Sequence, residues 1–204
     1  MVSTPLLAFG ITHLTDARYF AAWDARYLCF PLGPAGLSTD YFLAIREWVE
    51  GPVCVAELGA DAGAEYSAEA LSDGGISHVL IDYGSPATGF TAAGITVLTR
   101  LPVAGYHSLD DLQERMAETS GALILDFTDG GITYSDLVNG SPFPLSELSA
   151  LIGDGEVFLH LDLSASQAEA TATANYGLAL RGSSEEKVGY KSFDDLDEIL
   201  EALE

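Results

Sequence analysis

Residues 96–128 read TVLTRLPVAGYHSLDDLQERMAETSGALILDFT, and this stretch decides the fold class. Two apolar runs, residues 96–102 and 122–128, flank a segment in which apolar residues recur at helical spacing after Ser108. The side-chain oxygen of Ser108 can accept hydrogen bonds from the exposed amides of a first helical turn. Both runs lack polar alternation, which is typical of parallel strands that are buried on both faces. The stretch therefore predicts one strand–helix–strand unit.

The same alternation continues along the whole chain. The strand candidates are residues 5–11, 25–32, 52–59, 78–84, 96–102, 122–128, 157–163 and 177–182. Helix starts are predicted at Thr15–Asp16, Ser38–Thr39–Asp40, Ser108, Pro144 and Ser192, whereas the connection at residues 85–94 is weak as a helix. Such a series without linkers predicts a single domain over residues 1–204, an α/β fold with a parallel eight-stranded (β/α)8 TIM barrel. An open doubly wound sheet is the alternative, but no GxGxxG turn supports it.

Composition and charge exclude several classes of function. The 8 Lys and Arg against 31 Asp and Glu give a formal net charge of -23, which repels nucleic-acid phosphates and anionic lipid, so we expect binding to neither. No run approaches the roughly 20 apolar residues of a membrane span, and Met1–Gly10 lack the basic start of a signal peptide. We therefore expect a cytoplasmic protein, and a protein partner for its acidic surface stays open.

We predict structural roles for the cysteines and for three large apolar residues, and the spacing of the histidines does not indicate a metal site. Cys29 and Cys54 lie in apolar runs, where a buried thiol is commoner than a disulfide or a metal ligand. The four histidines show no metal-ligand spacing such as HxH or HExxH. Trp23, Phe42 and Trp48 fall at apolar spacing on predicted helices, so we expect them to pack against the barrel.

Short motifs recur in a fixed order along the chain. Leu7-Ala8-Phe9-Gly10-Ile11-Thr12, followed by Asp16-Ala17, is similar to a K-x-C-G-I-T opening with x-x-D-A after it. Residues 25–30 resemble A-D-x-x-G-F, and residues 125–137 resemble an L-L-D segment with its glycine pair and F-D-W-x-L. Residues 177–183 and 188–191 resemble G-V-D-V-S-S-G and P-G-x-K-D. In order and spacing, over the whole chain, these motifs resemble those of the phosphoribosylanthranilate isomerase family, which implies the same TIM barrel.

The resemblance implies a cofactor-free Amadori rearrangement of N-(5'-phosphoribosyl)anthranilate in tryptophan biosynthesis. In that reaction a general base removes the C2 proton while a general acid protonates the ring oxygen. By resemblance Asp126 holds the acid position, but Phe9 replaces the cysteine base and Leu7 replaces the lysine beside it. Because a phenyl ring cannot accept a proton, we expect the inherited activity to be lost or changed.

Other segments of the family pattern are altered as well, among them the A-G-G-L of strand seven, which by resemblance supplies backbone amides to the substrate phosphate. By resemblance, the S-P-R after strand two, which contributes an arginine, reads Pro34-Ala35-Gly36-Leu37, and the A-G-G-L of strand seven reads His160-Leu161-Asp162-Leu163. The aspartate expected in the final strand is Ala179. A carboxylate about 4 Å from a phosphate charge costs on the order of 4 kcal/mol at an effective dielectric of about 20, or about a thousandfold in affinity. We therefore expect weak binding of any sugar-phosphate-like ligand.

Polar side chains nevertheless gather at the predicted strand ends, where TIM-barrel enzymes bind their substrates. The substrate-binding candidates are His13, Glu57, Asp82, Arg100, Asp162, Arg181 and Ser183, beside the catalytic candidate Asp126. Carboxylates opposed by arginines suit a small polar ligand, a structural ion-pair network or an oxygen-ligated divalent metal. The hypotheses are thus an isomerase scaffold with lost or changed activity, in which His13 or Glu57 could replace the base, a non-catalytic binding or assembly module, and a metal-dependent enzyme.

Overall fold

A closed parallel barrel forms the centre of the molecule. The computed structural model describes residues 4–59, 66–172, 174–182 and 193–203. Its strands are β1 (Leu6–Phe9), β2 (Tyr27–Leu32), β3 (Val53–Leu58), β4 (His78–Asp82), β5 (Thr96–Pro102), β6 (Leu123–Asp126), β7 (Val157–His160) and β8 (Gly177–Arg181). Each strand pairs in parallel with the next, and β1 pairs with β8 to close the ring. The predicted strand positions and the TIM barrel are confirmed.

Several strands end sooner than the apolar runs that predicted them. Ile11, Phe127 and Leu161 lie beyond the ends of β1, β6 and β7, yet each is 5% exposed or less. These side chains continue the core beneath the loops at the top of the barrel, the end at which the strands have their carboxyl termini. Apolar runs therefore mark burial more closely than they mark strand hydrogen bonding.

Helices surround the barrel on its outer side. In the described residues they are α1 (Leu14–Ala22), α2 (Thr39–Arg46), α3 (Ala68–Asp73), α4 (Thr88–Ala92), α5 (Leu109–Ala117), α6 (Tyr134–Val138), α7 (Leu145–Ile152), α8 (Ala165–Thr171) and α9 (Asp194–Glu201). The predicted caps Ser38 and Ser108 accept backbone N–H groups, and Pro144 precedes α7 as predicted. The connection that reads weakly as a helix forms only the short α4.

One predicted helix start differs from the structure, and another lies outside the described residues. The cap position of α1 is His13, so the prediction of Thr15–Asp16 was wrong: both lie inside the helix, and Asp16 is an acidic residue of its first turn. A carboxylate there complements the positive end of the helix dipole, which produces the same sequence signal as a cap. The other start, Ser192, lies outside the described residues, and α9 begins at Asp194 after Phe193.

Side chains at alternate strand positions fill the barrel interior. The inner core consists of Leu7, Phe9, Tyr27, Cys29, Val55, Leu80, Leu98, Ala122, Ile124, Phe158 and Ala179. The opposite strand faces pack against the helices in a second, larger core. Because side chains alternate along a strand, the next inward positions at the top of β3 to β8 are Glu57, Asp82, Arg100, Asp126, His160 and Arg181. An apolar interior therefore carries a polar layer at the end where barrel enzymes act.

The large aromatic residues predicted on helix faces differ in their burial. Phe42 is fully buried, and Trp23 is partly buried against the outer core, as predicted. Trp48 is 66% exposed, so the prediction that it packs against the barrel was wrong. It lies beyond the end of α2, where the guanidinium of Arg18 is 5.7 Å from its ring centroid.

No helix in the described part of the chain is long and apolar enough to cross a membrane.

Candidate functional site

Asp126 and His160 form a hydrogen-bonded pair at the top of the barrel. They end the neighbouring strands β6 and β7 at paired positions, and their side chains are 5% and 12% exposed. Nδ1 of His160 lies 3.0 Å from Oδ1 of Asp126. Thr128, two residues after the aspartate, donates to the same oxygen from its backbone N–H at 3.1 Å and from its hydroxyl at 2.7 Å. One carboxylate oxygen therefore collects three contacts.

These contacts fix the ionisation of Asp126 and the ring nitrogen of His160 that faces it. Burial raises the pKa of Asp126, but the hydrogen bonds from His160 and Thr128 outweigh it and lower that pKa from 3.8 to about 2. Asp126 is therefore an ionised acceptor at neutral pH, so Nδ1 of His160 must carry the proton of their hydrogen bond. In a neutral imidazole this leaves Nε2 as the nitrogen that can accept a proton. The pair has the arrangement of an oriented general base.

Arg100 joins the other two carboxylates of the polar layer. Its Nε donates to Oδ1 of Asp82 at 2.8 Å, its Nη2 lies 2.8 Å from the same oxygen, and its Nη1 lies 3.6 Å from Oε1 of Glu57. Oε2 of Glu57 accepts the backbone N–H of Gly10 at 3.0 Å. Gly10 has a φ of +67°, a left-handed conformation that glycine adopts at little cost and that turns the chain out of β1.

Burial shifts the pKa values within this network. It raises the pKa of Glu57, although the Gly10 N–H and the charges of Arg100 and Arg181 act in the opposite direction. Burial lowers the pKa of Arg100, but the charge and hydrogen bond of Asp82 and the charge of Glu57 give a net increase. Three predicted residues thus come together as an ion-pair network, one of the alternatives that the sequence left open.

Phe9 fills the position that the family resemblance assigns to the base. Its ring is 1% exposed and packs edge-on against His160, with ring centroids 4.7 Å apart. The guanidinium of Arg181 lies 5.8 Å from the centroid of the Phe9 ring. The Phe9 ring therefore lies beside both the imidazole and the guanidinium, and it offers no proton acceptor at its own position.

The remaining predicted residues lie around this layer. His13 is exposed at the start of α1, and Asp162 is exposed just beyond β7. Asp162, Arg181 and His160 line a cavity of about 230 Å³ between β7, β8 and α9, which we call the β7–β8 cavity. Ser183 lies outside the described residues.

His160 and Thr128 are the residues that sequence reasoning missed as site candidates. The sequence patterns include His160 only as a histidine without metal-ligand spacing and as the first residue of the altered strand-seven segment, although it ends a strand beside the one that Asp126 ends. The Asp-x-Thr sequence from Asp126 to Thr128 is itself a signal, because an aspartate commonly binds the backbone two residues on. Within the described residues no group of three or more His, Cys, Asp or Glu side chains is placed to hold a metal ion, so the metal hypothesis has no ligand set there.

Comparison with known proteins identifies the fold. No protein-family model and no curated protein sequence matches the chain. The solved phosphoribosyl anthranilate isomerase from Thermus thermophilus is similar with a TM-score of 0.70 and 22% identity over 98% of each chain. A phosphoribosyl anthranilate isomerase in complex with reduced 1-(o-carboxyphenylamino)-1-deoxyribulose 5-phosphate gives 0.68 and 16% over 98% of each chain. The 3-keto-L-gulonate-6-phosphate decarboxylase from Vibrio cholerae gives 0.58 and 13% over 100% of this chain and 98% of its own. The fold implied by the resemblance is confirmed, and barrels of different activity share it.

Proposed function

We propose that the chain is a divergent barrel of the phosphoribosylanthranilate isomerase type that no longer catalyses the inherited Amadori rearrangement. The observation that carries the proposal is the buried ring of Phe9, which packs against the same His160 that hydrogen-bonds Asp126. The similarity over 98% of the chain to isomerases of known structure supports the origin of the scaffold. The tryptophan-pathway reaction is then an inherited role and not a present one.

Both proton transfers of that rearrangement lack a competent group. The base position is occupied by the hydrocarbon ring of Phe9. The acid position is occupied by Asp126, whose pKa of about 2 leaves about one carboxyl in 100,000 protonated at pH 7. A general acid works best with a pKa near the operating pH, so Asp126 in this environment is a poor proton donor.

Substrate binding is weakened as well in this proposal. Asp162 lies just beyond β7, where the resemblance places amides that bind the substrate phosphate. The bound analogue of the similar isomerase carries a 5-phosphate, which the Asp162 carboxylate would repel. The loss of proton transfer and the weakened phosphate binding therefore act on the same reaction.

A fluorescence assay with N-(5'-phosphoribosyl)anthranilate tests the proposal directly. We expect no turnover above the uncatalysed rate and no rescue of a tryptophan auxotroph that lacks the isomerase, while the Thermus thermophilus enzyme serves as the active control. Turnover by the wild-type chain that disappears in Asp126→Asn would refute the proposal, because it would show that Asp126 still works as the acid.

A second candidate function is proton transfer by His160 on a different polyol or carbonyl ligand. The observation in its favour is the 3.0 Å hydrogen bond that orients the imidazole and leaves Nε2 to accept a proton. The probe is deuterium exchange in D₂O, followed by NMR, at C2 of ribose and ribose 5-phosphate and at C1 and C3 of ribulose and ribulose 5-phosphate. We expect any exchange to be lost in His160→Gln and kept in His78→Gln, because His78 begins β4 at the opposite end of the barrel. If no probe exchanges, or if exchange survives in His160→Gln, this second candidate fails and the binding-module hypothesis gains weight.

A further inference from the structure

The β7–β8 cavity combines two charges of opposite sign with apolar walls. Asp162 and Arg181 line it from two neighbouring strand ends, and Leu161, Leu163, Leu196 and Ile199 supply aliphatic surface. Among the described residues, neither charged side chain forms a hydrogen bond or an ion pair, and the two do not pair with each other. The guanidinium of Arg181 lies 5.8 Å from the centroid of the Phe9 ring, and its charge acts on Glu57 without forming an ion pair. Both charges are therefore available to a ligand.

The sign of each charge restricts what the cavity can hold. A phosphate beside Arg181 would meet the carboxylate of Asp162, and a simple amine beside Asp162 would meet the guanidinium of Arg181. Only a ligand that carries both a cation and an anion satisfies both walls. The planar guanidinium suits a carboxylate, which it can bind through two parallel N–H groups. An ammonium group is the complementary partner for Asp162.

The size and the walls of the cavity restrict the rest of the ligand. Its volume of about 230 Å³ is below the roughly 300–1,000 Å³ of pockets for drug-sized molecules, so it suits a small metabolite. Leucine and isoleucine side chains from the segment after β7 and from α9 would bury an aliphatic chain. From these features we infer that the β7–β8 cavity binds a small zwitterion with an apolar body, namely an aliphatic α-amino acid.

Isothermal calorimetry with glycine, alanine, valine and leucine tests the apolar part of this inference. Each buried methylene strengthens binding about fourfold, so leucine should bind about sixtyfold more tightly than alanine. 4-Methylpentanoate, which lacks the ammonium, and 3-methylbutylamine, which lacks the carboxylate, should each bind more weakly than leucine. An affinity series that stays flat from glycine to leucine would overturn the inference.

Two variants with matched controls test the charged part. Asp162→Asn and Arg181→Gln should each weaken leucine binding about fivefold, since a partly exposed charge pair contributes about 1 kcal/mol. Asp73→Asn and Arg26→Gln remove one exposed charge of each sign away from the cavity and should leave binding unchanged. Leucine binding that is equal in all four variants, or no leucine binding up to about 10 mM, would contradict the inference.

Ribose 5-phosphate is the competing probe, because it stands for the inherited ligand class. We expect it to bind more weakly than leucine and to gain affinity in Asp162→Asn. Tighter binding of ribose 5-phosphate than of leucine to the wild-type chain would overturn the inference. This outcome is distinguishable from the proposed loss of isomerisation, because leucine binding requires no proton transfer, whereas turnover requires competent groups at positions 9 and 126.

Discussion

Replacing Asp126 by asparagine should destabilise the protein in a pH-dependent way. The contacts of its carboxylate lower its pKa from 3.8 to about 2. A shift of this size corresponds to about 2 kcal/mol of folding stability at neutral pH. The side chain is only 5% exposed, so solvent screening reduces this value little. Asp126→Asn keeps the shape and one acceptor oxygen but loses the charge, and its free energy of unfolding at pH 7 should fall by about 2 kcal/mol.

The sign of the pH dependence follows from the direction of the shift. Because the pKa of the folded state lies below that of the unfolded state, the stabilisation is fully present above about pH 4 and is lost as the pH falls toward 2. About half of it should remain at pH 3. The wild type and Asp126→Asn should therefore differ most between pH 5 and 7 and should converge at lower pH.

Urea unfolding at pH 7, 5, 4 and 3, followed by circular dichroism, measures this convergence. Asp73→Asn serves as the control, since it removes an exposed carboxylate and should change stability by less than about 0.5 kcal/mol at every pH. A difference between wild type and Asp126→Asn that stays constant from pH 7 to pH 3 would refute the reasoning. The stabilisation would then come from packing, or from hydrogen bonds that the asparagine oxygen also accepts, and not from the ionised carboxylate.

Further predictions concern the scaffold. In Gly177→Ala the new methyl group would lie 2.5 Å from Cδ1 of Phe158, so urea unfolding should show a loss of about 1–3 kcal/mol, and an unchanged midpoint would contradict the close packing. Ser108→Ala removes the cap of α5 and should cost about 1 kcal/mol in the same assay, whereas no loss would mean that the cap is replaced. Burial raises the pKa of Cys54 to about 11, and Cys29 is fully buried, so a thiol-disulfide reagent at pH 8 should label both only after denaturation. Rapid labelling of the native protein would refute the prediction that the fold protects both thiols.

The barrel could be predicted from sequence because its signals are local. Each strand is a short run of residues buried on both faces, and caps such as Ser38 and Ser108 mark helix starts within a few positions of a strand. The signals that failed are those in which two physical causes look alike. Asp16 complements a helix dipole rather than capping the helix, and Trp48 has apolar spacing but lies beyond the end of α2.

The candidate site could be predicted only in part, because its contacts are between strands. Glu57, Asp82 and Arg100 were expected at strand ends, but their connection through one guanidinium depends on which strand positions point inward. A single sequence does not determine which of the alternating strand positions point into the barrel. His160 was missed for the same reason, since its role follows from the register that pairs it with Asp126. The ligand-facing role of Asp162 and Arg181 likewise depends on the placement of α9.

Two departures from the isomerase pattern, Phe9 and His160, are in direct contact with each other. Phe9 on β1 and His160 on β7 come from strands that are separated by β8, yet their rings meet edge to face inside the barrel. Such an aromatic pair is worth about 0.5–1.5 kcal/mol beyond the area that it buries. The same imidazole helps to keep Asp126 ionised, so Phe9 packs against the residue that lowers the pKa of the candidate acid. Restoring a cysteine at position 9 would leave Asp126 still hydrogen-bonded to His160, and a single reversion would therefore not recover an acid–base pair.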